Sequence, residues 1–138
     1  MILQCSFEEI TAATAAAGRV LVGTGSGSVA APPQVAAEIE ALMPRLTGDL
    51  SIDTLSELRA VERALHYVLE CARDRTDAFI IDQHPAAEAA VASYFEFAHI
   101  LTLTDRTRRL GAQMSALIEL MSGAPVTDAS AAHYQFPD

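Results

Sequence analysis

From Pro85 to Met121 the chain has no internal proline and a single glycine, and its apolar residues recur at helical steps on two sides. One stripe is Ala87, Ala90, Val91, Tyr94, Ala98 and Leu101. The other is Leu103, Leu110, Met114, Leu117 and Met121, on roughly the opposite side at 100° per residue. Unbroken, such a helix spans about 55 Å. Clustered threonines and Gly111 allow a bend near Thr102–Arg109. Gly123 and Pro125 supply the stop.

A helix that is apolar on two sides needs two partners. The preceding segment, Leu55 to Ile81, supplies one. Leu55, Leu58, Leu65, Leu69, Ala72, Thr76 and Phe79 form its stripe, widened by Val61 and Val68. A short break at Asp82–Pro85 folds the two helices into an antiparallel hairpin. The second partner is either another copy of the hairpin, giving a two-fold four-helix bundle, or the chain's own N-terminal half. The reading adopted is the homo-oligomer, with a dimer favoured. Leu103, Leu110, Met114, Leu117 and Met121 are its candidate interface.

The fold class expected is therefore mainly α, a single domain over 1–138. Its parts are a smaller α/β-like N-terminal part over 1–50, the helical hairpin over 54–122, and an irregular tail over 124–138. His133, Tyr134 and Phe136 of that tail could dock on a surface. Within the first fifty residues, Ile2–Phe7 and Leu50–Asp53 read as short strands. Ser6 with Glu9, and Thr54 with Glu57, have the spacing of a capping box. The stretch LQCSFEEI thus parallels LSIDTLSEL: extended residues, a cap, then an amphipathic helix. The first helix is expected to run from Phe7 to Ala17 and stop at Gly18. A second strand, Arg19–Gly23, could form a hairpin with Val29–Ala31. Pro33 opens a helix that ends near Pro44.

Two motifs invite chemistry. Glu96 and His99 are three residues apart on a predicted helix, so both can reach one metal ion. Glu62, His66 and Glu70 recur every four residues on the facing helix, with Glu70 expected level with Glu96. Together they are candidate ligands for Fe, Mn or Zn, although a ferritin-like site needs two Glu-x-x-His motifs and the chain has one. Against this, Arg59, Arg63 and Arg73 sit at pairing distance from Glu62 and Glu70. A buried Glu96 also needs a partner: His99, an arginine such as Arg106 or one from another subunit, or a metal. The Gly23-Thr-Gly25-Ser-Gly27 run lacks the Lys-Ser/Thr of a phosphate loop and is followed by two prolines, so it reads as a linker.

Charge narrows the remaining classes. Eighteen acidic residues face nine basic ones, all arginine, for a formal charge of −9. A net anion is repelled by phosphates, so nucleic-acid partners are not expected, despite the local knot of Arg106, Arg108 and Arg109 beside Asp105. No window is apolar enough for a membrane span. Cys5 and Cys71 are isolated, which fits two reduced thiols in a cytoplasmic protein. No catalytic constellation is recognisable. The function expected is a non-enzymatic interaction or assembly protein with a protein partner or a second copy of itself and no cofactor. A carboxylate/histidine metal-binding bundle is the alternative.

Overall fold

The computed structural model describes residues 1–22, 31–81 and 87–123. Seven elements follow one another: β1 (Ile2–Leu3), α1 (Phe7–Val22), α2 (Pro33–Leu42), a 3-10 turn (Met43–Arg45), β2 (Leu50–Ser51), α3 (Leu55–Ile81) and α4 (Ala87–Ser122). The protein is mainly α, and its two long C-terminal helices pack together as the periodicity predicts.

Side-chain pairs fix the helix directions. Thr76 meets Ser93 and Leu58 meets Gly111, so α3 and α4 are antiparallel. Glu9 meets Arg106 and Arg19 meets Glu96, so α1 is antiparallel to α4. Glu38 meets Arg63 and Arg45 meets Glu57, so α2 is antiparallel to α3. The chain thus forms an up-down-up-down arrangement of four helices. The second pair of helices, which the sequence reading assigns to another copy, is supplied by the chain's own α1 and α2.

The core is built mostly by α3. Leu55, Leu58, Val61, Leu65, Val68, Leu69 and Ala72 are all buried. Leu3, Ile39, Leu50 and Ile52 close one end of it. The fully buried apolar residues of α1 are all alanines, Ala12, Ala13, Ala16 and Ala17, which bury little area each, with Ile10, Val20 and Leu21 packing against the core at its edge.

Helix α1 passes through Gly18 and ends at Val22, so Arg19–Val22 is helical rather than the strand the β-branched residues suggest. Glycine inside a helix costs about 1 kcal/mol relative to alanine. Here tertiary contacts offset it: Arg19 reaches Glu96, and Val20 and Leu21 pack against the core. The strands are also shorter than expected, two residues each, paired antiparallel with Ile2 opposite Ser51 and Leu3 opposite Leu50. The expected strand at Val29–Ala31, the glycine run, the Asp82–Pro85 turn and the tail fall wholly or largely outside the described residues. Helix α4 is unbroken from Ala87 to Ser122, through the threonine cluster. It closes on Gly123, whose φ of 72° suits glycine and whose N–H donates to the Glu119 carbonyl at 2.8 Å.

The two similar stretches noted in the sequence build the same device twice. Ser6 and Glu9 form a reciprocal capping box: the Ser6 N–H donates to the Glu9 carboxylate at 2.8 Å, and the Glu9 N–H to the Ser6 hydroxyl at 3.1 Å. At α3 the Glu57 N–H donates to the Thr54 hydroxyl, while the Glu57 carboxylate accepts from the Asp53 N–H. Each glutamate then receives an arginine from the other half of the chain. Arg106 of α4 donates to Glu9 at 2.7 Å and to the Gln4 carbonyl at 2.8 Å. Arg45, after α2, donates to Glu57 at 2.6 Å and to the Ser51 carbonyl at 2.8 Å. The order strand, capped helix, helix occurs twice, and each half's arginine secures the other half's cap.

Candidate functional site

The inner face of α4 is neither of the two apolar stripes. Its buried residues are Ser93, Ile100, Leu103, Thr104, Thr107 and Gly111. Most are small or hydroxylated, so a search for apolar periodicity misses them. Each buried hydroxyl is satisfied locally. Thr104 and Thr107 donate to the carbonyls of Ile100 and Leu103 at 2.7 and 2.8 Å. Thr76 donates to the Ala72 carbonyl, and its oxygen lies 2.7 Å from that of Ser93. Gly111 gives α3 room: a Cβ there would lie 3.1 Å from Arg59 Nη1 and 3.6 Å from Leu58 Cδ2.

Consequently the apolar stripes flank the buried face. In the first, Val91 is 53% exposed and Tyr94 54%, while Ala98 and Leu101 are half-buried; neighbouring Phe95 is 57% exposed. The second stripe divides along its length. Leu103 is fully buried in the chain's own core, which removes it from any interface with a second copy. Leu110 and Met114 pack partly against the core. Leu117 is about half exposed and Met121 is 87% exposed, as is most of neighbouring Leu120. From the pairing of Leu58 with Gly111, Met114 lies level with the start of α3 at Leu55, so Leu117 to Met121 overhang it.

The candidate metal ligands are held by arginines or stand apart. Glu96, the carboxylate the sequence leaves in need of a partner, is partly buried and ion-paired with Arg19 of α1. Glu62 pairs with Arg59 at 2.9 Å and Glu70 with Arg73 at 3.2 Å, while Arg63 turns to Glu38 of α2. His66 is exposed and His99 half-buried. The interhelical register puts Glu70 level with His99 rather than Glu96, nearly one turn from expectation. Among the described residues no group of three or more His, Cys, Asp or Glu comes together at metal-binding distances.

The remaining polar groups are largely engaged. Burial alone would raise the Glu9 carboxyl, but hydrogen bonds from Arg106 and from the Ser6 N–H and the positive charge of Arg106 hold it below the usual glutamate range. Burial, with Glu9 and Asp49 nearby, pushes the Cys5 thiol up to about 11, and burial also raises Cys71, so both are poor thiolates at neutral pH. Arg108 is neutralised by Asp105 at 3.1 Å. An open groove of about 500 Å³ between α2 and α3 is floored by Ala37, Ala41 and Ala60, with the Glu38–Arg63 and Arg45–Glu57 pairs at its edges. No helix among the described residues is long and apolar enough to cross a membrane. Compared with family models, curated proteins and solved structures, the chain matches none.

Proposed function

We propose that this is a helical assembly protein that associates with a second copy of itself through α4. The observation that carries the reading is the outward display of Val91, Tyr94, Phe95, Leu117, Leu120 and Met121 on one helix of a bundle already complete within one chain. Large exposed apolar side chains grouped on one element mark association surfaces more often than chance exposure does. The glutamates that could have served as metal ligands, Glu62, Glu70 and Glu96, are each paired with an arginine, which directs the reading away from chemistry and toward recognition. Sedimentation equilibrium over a concentration series tests it. The expected result is a reversible rise from monomer to dimer; a monomer at every concentration overturns it.

A further inference from the structure

Helix α1 is anchored very differently at its two ends. At the first, β1 pairs with β2, and the Ser6–Glu9 capping box closes the start of the helix. The Cys5 N–H donates to the Asp49 carboxylate at 2.9 Å, and Arg106 ties both Glu9 and the Gln4 carbonyl to α4. At the second end, residues 15–22, the one side-chain polar tie among the described residues is the Arg19–Glu96 ion pair. Burial and the like charge of Arg75 both lower the Arg19 guanidinium from its ordinary value, so the cation of that pair sits where charge is disfavoured.

The apolar hold on this end is slight as well. Ala16 and Ala17 are buried, Val20 and Leu21 only half-buried, and Val22 is 73% exposed. Gly18 lies between them inside the helix. Its φ is not positive, and a Cβ there would meet nothing within 4 Å. Neither backbone conformation nor packing therefore requires glycine at this position, while glycine leaves the helix less favourable than alanine would. Small buried side chains, an interior glycine and a single ion pair are the features of a segment that opens ahead of the fold around it.

We propose that residues 15–22 form an arm that swings away from α3 and α4 while the rest of the bundle stays folded, with the Arg19–Glu96 ion pair as the catch that sets how often it does so. The anchored start of α1 acts as the hinge. The two ion pairs between α1 and α4 fix their register and place Ala16 level with His99. An open arm frees the Glu96 carboxylate and thins the cover over the core at the level of Ile100, which is fully buried in the closed bundle. The opening is a property of a single chain and goes beyond the self-association proposed above.

Native-state hydrogen exchange in dilute protein, under conditions where closing outruns exchange, tests the arm. The backbone N–H groups of residues 18–22 should be protected at least ~100-fold less than those of residues 65–69 in α3. Low urea should leave their protection nearly unchanged, because the opening exposes little surface. Gly18→Ala should slow their exchange about fivefold, the ratio matching the difference between alanine and glycine in a helix interior. E96R, which sets a third arginine beside Arg19 and Arg75, should speed it about fivefold, and the double variant R19E/E96R should return it to the wild-type rate. Protection and urea dependence equal to those of α3 would show that this end opens only with the whole bundle, and would overturn the arm. Exchange that neither Gly18→Ala nor E96R changes, or that the double variant does not restore, would overturn the catch. Self-association is untouched by any of these outcomes.

Discussion

Helices α3 and α4 face each other along the centre of the bundle, yet they build that contact from opposite materials. Helix α3 turns its large aliphatic side chains inward, with Leu58, Leu65, Val68 and Leu69 almost completely buried. Helix α4 turns inward mostly small or hydroxylated residues, Ser93, Thr104, Thr107 and Gly111, with only Ile100 and Leu103 as fully buried aliphatic ones, and turns outward Val91, Tyr94 and Phe95. Long side chains on one helix meet short ones on the other, as at Gly111, where a Cβ would lie 3.6 Å from Leu58 Cδ2. The price is that α4 keeps much of its apolar surface on the outside. A helix assembled in this way is complete as a structural member and unfinished as a surface.

The largest expected effect breaks the α3 side. Leu65→Ala should cost about 2–5 kcal/mol, because it removes a fully buried side chain and leaves a cavity; urea unfolding monitored by circular dichroism measures it. The next probe acts on the α4 side. Thr107 is fully buried, so Thr107→Leu should destabilise by about 1–3 kcal/mol through overpacking, although the new residue is more apolar. Thr107→Val keeps the shape and should cost less than about 1 kcal/mol, because the Leu103 carbonyl it frees belongs to the helical ladder. Equal costs for the two variants would show that the hydroxyl, not the space, is what matters there.

A smaller effect concerns the latch that secures α1 to α4. Glu9→Gln should cost about 1–2 kcal/mol at neutral pH, the scale of a charge-assisted hydrogen bond to a partly exposed arginine. The Glu9 carboxyl is held below its ordinary range in the folded state. Its contribution is therefore complete above the unfolded value of about 4.3 and is lost as pH falls through the folded value. Stability curves of wild type and Glu9→Gln should converge in acid; a gap constant down to the lowest measurable pH would show that the charge is not responsible.

The contrast between the two helices also explains what could be read from the sequence. For α3 the apolar period marks the buried face, and both its limits and its core residues are evident before any coordinates. For α4 the period marks the faces beside the contact. Glycine and threonine give no hydrophobic signal, so Thr104, Thr107 and Gly111 stay invisible. Leu103 is the exception, being both a stripe residue and a core residue. Capping boxes were legible because they are local, whereas the arginines that complete them, Arg106 and Arg45, act across the fold. The same non-locality hides Arg19 as the partner of Glu96, since Gly18 makes the helix look finished at Ala17, five residues before its end at Val22.

The chain contains no tryptophan, which makes one site-specific optical measurement decisive. Tyr94→Trp places a single indole on the outward stripe, and acrylamide quenching of its fluorescence across a concentration series reports what covers that face. Strong quenching in dilute solution, giving way to protection and a blue-shifted emission as concentration rises, is the result this account requires. Protection at the lowest concentration would mean that residue 94 lies within the chain's own core, and quenching at every concentration would mean that no second copy covers it.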